Sequence, residues 1–120
     1  MKENIVKNKS FKFALRVVNL YKYLCEEKKE YVISKQLLRS GTSIGALVRE
    51  AEQAESKADF IHKLSIALKE ANETDYWLDL LRESFYLEEN QYTSIKDDCE
   101  ELLKLLVSII KSSKENVAKK

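Results

Sequence analysis

Apolar side chains return every three or four residues along most of this chain, which is the spacing of amphipathic helices. The pattern predicts four helices, over about 10–28, 34–55, 57–83 and 90–112, within one domain spanning 1–120. Residues 113–120 have little to bury, and we expect this tail to be frayed. The fold class predicted from the pattern is therefore an all-α helical bundle.

Each predicted helix carries a main apolar stripe, which we expect to face a common core. In the first helix two further apolar residues, Val17 and Leu24, widen the stripe. The members of the four stripes, in chain order, are Phe11, Ala14, Val18, Tyr21 and Cys25; Leu37, Gly41, Ile44, Val48 and Ala51; Phe60, Leu64, Ala67, Ala71, Thr74, Leu78 and Leu81; and Tyr92, Ile95, Cys99, Leu102, Leu106 and Ile109.

Local signals place two helix starts and raise one question of continuity. Ser10 is a candidate N-cap for the first helix, and Ser56 with Asp59 forms a capping box for the third. Gly41 and Gly45 permit either a break or an unbroken second helix, and the apolar spacing, which keeps its phase across both, favours the unbroken helix. Their four-residue spacing allows a neighbouring helix to approach closely.

The two inner helices have second sides that the main stripes do not explain. A single bundle would leave these sides uncovered, so we expect them to contact a neighbouring helix of the chain or another protomer. Glu70 and Glu73 either form local ion pairs on a solvated face or meet Arg39 or Arg49 across an interface. The residues assigned to an oligomer interface are Arg39, Ser43, Ala46, Glu50, Ile66, Glu73, Trp77 and Leu80.

The composition agrees with few, long helices, because the chain has no Pro and two Gly. No apolar run is long enough to cross a membrane, and the first residues lack an apolar signal core, so we expect a cytoplasmic protein. Cys25 and Cys99 lie at helical core positions. Buried free thiols are favoured there over a disulfide or a metal pair.

Positive charge is concentrated at the two ends of the chain. Residues 1–22 carry six basic groups and one acidic group, a net charge of +5, and residues 111–120 carry four against one, a net charge of +3. The total of +1 leaves −7 for the middle. In an up-down-up-down bundle both ends lie at one pole, where they form either solvated termini or a nucleic-acid-binding surface of Lys2, Lys7, Lys9, Lys12, Arg16, Lys111 and Lys114.

Residue types for catalysis are scarce. A di-iron bundle needs an acid-x-x-His pair on each of two helices, and this chain has one His, in Asp59-Phe60-Ile61-His62. Asp59 is better explained as a capping residue, and His62 has no nucleophile at a fixed spacing. We therefore expect no catalytic residue, no metal site and no cofactor, and hence no enzyme.

The stretch 36–81 contains a distinctive series of short motifs: Leu38-Arg39-Ser40, Thr42-Ser43-Ile44, Arg49-Glu50-Ala51, Asp59-Phe60-Ile61, Ala67-Leu68-Lys69-Glu70, Glu73-Thr74 and Trp77. In this combination the stretch resembles the four helix bundle protein family, also called the 23S rRNA-intervening-sequence protein family. Where many members have Asn-Ile-Ala-Glu-Gly, this chain has the run 46–51, ALVREA, which looks like a divergent branch.

The resemblance implies a left-handed up-down-up-down bundle that assembles as a ring-like homopentamer. Some members are encoded inside insertions in 23S rRNA genes. A related branch resembles the accessory protein of diversity-generating retroelements, which implies a basic surface for nucleic acid and a reverse transcriptase partner. No catalytic residues come with the resemblance.

Pattern, charge and resemblance together predict a non-enzymatic homo-oligomer, expected to be a pentamer. It would bind RNA or DNA through its clustered basic termini. The alternative is a protein-interaction or scaffold module that binds a partner protein and no nucleic acid. Neither hypothesis involves a membrane.

Overall fold

The computed structural model describes residues 2–118 and contains four helices joined by short loops. They are α1 (Lys2–Glu26), α2 (Ile33–Glu52), α3 (Lys57–Glu83) and α4 (Glu89–Ala118). Each helix packs against the next, and α1 also packs against α4. Near the start of α1, Lys7 contacts Glu52 at the end of α2, and Lys2 contacts Ser108 in the second half of α4. Neighbouring helices therefore run antiparallel. The predicted all-α four-helix bundle is confirmed.

Both outer helices are longer than the sequence pattern indicated. Helix α1 begins at Lys2 rather than near Ser10, because Val6 is buried and holds the preceding turns against the bundle. Ser10 is therefore no N-cap: it is a buried helix-interior residue whose hydroxyl donates to the Lys7 carbonyl at 3.1 Å. Helix α4 continues to Ala118, past the predicted end at 112, with Ser113 buried. Residues 119–120 of the predicted frayed tail lie outside the described residues.

The core face of α1 differs from the predicted one. Phe11 is 50% exposed, whereas Phe13 and Val17 are buried at 2% and 0% exposure. The true stripe is thus turned by about one residue, or roughly 100°, around the helix axis. The pattern misled because α1 has apolar residues on most of its circumference, so periodicity alone does not choose the inward side. The buried residues of α1 are Val6, Ser10, Phe13, Val17 and Leu24.

Gly41 of α2 determines which side of α1 packs inward. A Cβ on Gly41 would lie 2.8 Å from both γ-carbons of Val17, so only glycine lets α1 come this close. A Cβ on Gly45 would meet the Ser10 carbonyl oxygen at 3.4 Å, an ordinary contact. Helix α2 is unbroken across both positions, as predicted, and it ends at Glu52 rather than at 55.

The stripes of α2, α3 and α4 face the core as predicted, except that Phe60 is half-buried. Helix α3 has the predicted bounds, and its capping box is formed: the Asp59 N–H donates to the Ser56 hydroxyl at 3.0 Å.

Cys99 is buried, Cys25 is half-buried, and both are free thiols. Among residues 2–118 no helix is long and apolar enough to span a bilayer.

The α1–α2 loop is held by a buried acid. The Glu30 carboxylate accepts hydrogen bonds from the backbone N–H groups of Val32, Ile33 and Ser34 at 3.0, 2.9 and 2.7 Å. Burial opposes ionisation of Glu30, but the three N–H donors outweigh it and lower the pKa. Glu30 therefore satisfies the free N–H groups at the start of α2 as a charged cap.

Candidate functional site

The antiparallel packing of α1 and α4 brings the two basic chain ends together. The Lys2 ammonium donates to the Ser108 hydroxyl at 2.7 Å, which ties the start of α1 to the second half of α4. Lys12, Lys111 and Lys114 are exposed in the same half of the bundle, and none of them forms an ion pair within residues 2–118. We call Lys2, Lys12, Lys111 and Lys114 the basic end.

The other three basic residues predicted for this surface are paired with acids of the same chain. Lys7 lies 3.3 Å from Glu52, Lys9 lies 2.9 Å from Glu101, and Arg16 lies 2.6 Å from Asp98. The α2–α3 connection reaches the same end of the bundle and adds acids of its own. The surface is thus less positive than the counts along the chain implied, since acids from α2 and α4 lie among the lysines.

The charged residues predicted for an interface pair inside the chain. Arg39 on α2 binds Glu70 at 3.3 Å and also forms a close ion pair with Glu73 on α3. The Trp77 indole N–H donates to the same Glu73 carboxylate at 3.0 Å. This hydrogen bond from Trp77, together with the charge of Arg39, lowers the Glu73 pKa. Arg39, Glu73 and Trp77 therefore fasten α2 to α3.

The remaining predicted interface residues are divided between two sides. On α2, Ser43 donates to the Arg39 carbonyl, Ala46 is exposed, and Glu50 pairs with Lys63 at 3.4 Å. On α3, Ile66 and Leu80 are half-buried. They share their side of α3 with an aromatic residue that periodicity did not single out, Tyr76.

Tyr76 is 58% exposed and packs edge-on against Trp77, with ring centroids 4.9 Å apart. An exposed tyrosine supported by a half-buried tryptophan is a common arrangement at protein contact surfaces. We call Ile66, Tyr76 and Leu80 the α3 outer face. Ile66 and Leu80 belong to the predicted interface, and Tyr76 adds an exposed aromatic ring that the sequence pattern did not assign to it.

A second accessible aromatic ring lies between α1 and α2. The Arg49 guanidinium carbon is 5.4 Å from the centroid of the Phe11 ring, a cation–π distance. Beside the ring is a groove of about 320 Å³, which we call the Phe11 groove. Its lining is Lys7, Phe11, Ala14, Thr42, Gly45, Ala46 and Arg49. The sequence analysis missed it because Phe11 was assigned to the core.

Polar contacts between α3 and α4 are structural. The Lys96 ammonium lies between Asp75 at 2.6 Å and Asp79 at 2.7 Å, and Arg82 stacks on Tyr92 at 4.1 Å. Burial works against the charge of Lys96, but its two acidic partners raise the pKa above the ordinary value. The cluster holds the end of α3 to the start of α4.

Two features of residues 2–118 bear on chemistry: the Cys99 thiol and the arrangement of possible metal ligands. Burial raises the pKa of Cys99 to about 12, so this thiol remains protonated at neutral pH. No group of three or more His, Cys, Asp or Glu side chains in the described part of the chain is arranged to hold a metal ion.

The sequence model of the 23S rRNA-intervening sequence protein family matches residues 2–108, which include all of α1, α2 and α3 and most of α4. The chain belongs to this family. The match ends before Lys111 and Lys114, so two of the four lysines of the basic end lie outside the residues that match the 23S rRNA-intervening sequence proteins.

A solved relative supports the assignment. The chain is 66% identical to a protein from Bacteroides thetaiotaomicron VPI-5482, whose 1.70 Å crystal structure superimposes with a TM-score of 0.91. The similarity covers 92% of this chain and 99% of that one. That protein is described as having unknown function and as coming from the S23 ribosomal protein family. No curated protein matches the chain.

Proposed function

We propose that this 23S rRNA-intervening sequence protein is a non-enzymatic, self-associating bundle that binds RNA or DNA through its basic end. The observation that carries the proposal is the pairing of α1 with α4. It collects lysines from opposite ends of the chain onto one end of the bundle, as the Lys2–Ser108 hydrogen bond at 2.7 Å illustrates. Clustered lysines without acidic partners form the electrostatic footprint that phosphate backbones require.

A single chain with a net charge of +1 offers a small footprint, so assembly matters to the proposal. A ring-like homopentamer, as the family resemblance implies, would gather five basic ends on one face. The α3 outer face supports such an assembly because the Tyr76 ring is 58% exposed and the half-buried Ile66 and Leu80 lie on the same side of the helix. The proposal includes a cytoplasmic location, which the free thiols of Cys25 and Cys99 favour.

The experiment that tests nucleic-acid binding compares two charge-neutralised variants. Fluorescence anisotropy with a structured RNA at low and moderate salt would measure binding by the wild type, by Lys111→Gln/Lys114→Gln and by Lys22→Gln/Lys35→Gln. The second variant is the matched control, because it removes the same charge from exposed positions nearer the other end of the bundle. We expect binding to be weakened by the first variant and largely kept by the second; equal effects, or no salt-sensitive binding by the wild type, would refute the proposal.

A protein-interaction module without nucleic-acid binding is the second candidate, and one residue favours it. Phe85, in the α3–α4 loop, is 89% exposed and has a φ of 68°, a backbone conformation that bulky residues seldom adopt. With 89% of its surface exposed, the Phe85 side chain buries little area within residues 2–118 that could offset this strain. If this candidate were correct, a Phe85→Gly variant would lose a copurifying protein while its nucleic-acid affinity, whatever its value, stayed unchanged. Recovery of the chain alone in pull-downs would exclude it.

A further inference from the structure

Phe11 is an exposed aromatic ring in a place where the fold does not need one. It is 50% exposed on α1, outside the stripe that packs on the core. Arg49 of α2 lies over it at 5.4 Å, so the ring is oriented by a cation from the neighbouring helix. An aromatic side chain that is exposed yet held in place is a surface suited to stacking with another flat group.

Small residues make room beside this ring. The groove wall contains Ala14, Gly45 and Ala46, whose small or absent side chains leave space between Phe11 and α2. The resulting space of about 320 Å³ opens on the Phe11 side. A flat ring could therefore lie against Phe11 without displacing a side chain of the core.

The charge around the ring favours an anionic ligand. Lys7, Lys12 and Arg49 line the continuous surface on both sides of Phe11. Glu52 neutralises Lys7 at 3.3 Å, while Lys12 and Arg49 form no ion pair within residues 2–118. An apolar ring bordered by cations suits a ligand that joins a flat group to phosphates.

We propose that the Phe11 groove binds an unpaired base of a single-stranded nucleic acid. The base stacks on the Phe11 ring, and Arg49 and Lys12 contact the flanking phosphates. The inference rests on the proposed nucleic-acid binding and adds to it a stacking contact, which shares Lys12 with the basic end. Stacking on aromatic side chains and tracking of the backbone by cations are the two elements of sequence-tolerant single-strand binding.

A second copy of this chain suits the groove less well. The apolar groove on the opposite side of the bundle, between α3 and α4, is formed around Leu103 and Val107 and is bordered by Lys104 and Lys111. Bringing that side against the Phe11 groove would place lysines next to Arg49 and Lys12. Like charges would then face each other across the contact, which opposes association.

Binding of a short single-stranded oligouridylate by the wild type, Phe11→Ala and Leu15→Ala tests the proposal. Leu15 is the matched control because it is an apolar residue of the same helix with nearly the same exposure, 51%. Loss of one stacked base should weaken binding by Phe11→Ala roughly 5- to 150-fold, whereas Leu15→Ala should stay within about twofold of wild type. Phe11→Trp, which keeps a stacking surface, should restore the affinity.

Two further readouts separate stacking from a general loss of structure. Arg49→Gln should make the salt dependence of binding shallower by about 0.7 in the log–log slope, the value for one phosphate contact on a single strand. Photocrosslinking with an oligonucleotide carrying 5-iodouridine, followed by peptide mapping, should attach the base to Phe11. Circular dichroism and light scattering would check that the Phe11 variants keep the fold and the mass of the wild type.

The outcomes distinguish this inference from the proposed function. If the wild type binds but Phe11→Ala and Leu15→Ala behave alike, or the crosslink maps elsewhere, the stacking site is wrong while nucleic-acid binding stands. If Phe11→Ala lowers the mass of the assembly, the groove is a contact between copies and the inference is overturned. If the wild type binds neither structured nor single-stranded RNA, both proposals fail.

Discussion

The α2–α3 pair and α1 show how differently two parts of one bundle use their apolar residues. In α2 and α3 the apolar residues of the main stripes turn inward, and the two helices also share a buried hydrogen bond from Thr74 to Ser40 at 2.9 Å. Helix α1 also carries apolar residues outside its buried stripe: Ile5, Phe11 and Leu15 are 44–51% exposed. The main stripes of α2 and α3 thus stabilise the fold, while a part of the apolar content of α1, like the α3 outer face, is available for contacts outside the protomer.

The contrast follows from what each helix packs against. Helix α3 packs between α2 and α4 and makes apolar and polar contacts with each of them. Helix α1 is close to α2 at Gly41, but its described polar links to α4 are exposed ones, such as Lys9–Glu101 and Arg16–Asp98. Helix α1 packs less extensively on α4 than on α2, which leaves its outer side accessible, and the Phe11 groove lies where that outer side meets α2.

The largest expected effect contrasts a leucine of α3 with one of α1. Leu78 is fully buried, so Leu78→Ala should lower the free energy of unfolding by about 2–5 kcal/mol. Leu15 is half-exposed, so Leu15→Ala should change it by no more than about 0.5 kcal/mol. Urea denaturation measures both, and similar losses for the two variants would show that the outer side of α1 is part of the core.

Next in size is the contrast between the two glycines. In Gly41→Ala the new Cβ would clash with the γ-carbons of Val17 at 2.8 Å, and the β-branched side chain cannot swing away, so we expect a loss of about 1–3 kcal/mol. In Gly45→Ala the new contact is an ordinary 3.4 Å, and better helix propensity should make the change neutral or stabilising by about 0.5–1 kcal/mol. Thermal unfolding of both variants measures the two changes in stability. Equal effects would refute the close approach of α1 to α2 at Gly41.

A smaller effect concerns the loop that joins α1 to α2. Glu30→Gln removes a charged cap and should lower stability by about 0.5–2 kcal/mol at neutral pH. Because the folded-state pKa of Glu30 is lowered from 4.5, its contribution is present above the unfolded pKa and is lost as pH falls through the folded pKa. The difference between wild type and variant should therefore shrink in acid, as denaturation curves at several pH values would show. A constant difference would contradict the charged cap.

The smallest effect is expected for the exposed ion pairs between α1 and α4. A double-mutant cycle on Lys9 and Glu101, whose side chains are 43% and 53% exposed, should give a coupling of about 0–1 kcal/mol that declines with salt. The measurement is the stability of both single variants and the double variant. A coupling well above this range would mean that α1 is held to α4 by charge as firmly as α2 is held to α3 by packing.

Sequence patterns predicted the buried face of a helix correctly where the helix has one dominant apolar stripe. This is the case for α2, α3 and α4, and also for the Ser56–Asp59 capping box, because both features depend on residues close in sequence. They were insufficient for α1, where the choice between the Phe11 and Val17 sides is made by Gly41 on another helix. The predicted basic surface had the same weakness: that Lys7, Lys9 and Arg16 meet acids depends on which helices are neighbours.

The salt dependence of RNA binding tests the central claim most directly, namely that the end of the bundle formed by α1 and α4 binds phosphates. The four lysines of the basic end, at roughly 0.7–0.9 per neutralised phosphate, predict a slope of about −3 or steeper in a plot of log binding constant against log salt concentration. Measured by anisotropy on the wild type, such a slope would support the account. Binding that does not change with salt, or no binding at low salt, would contradict it.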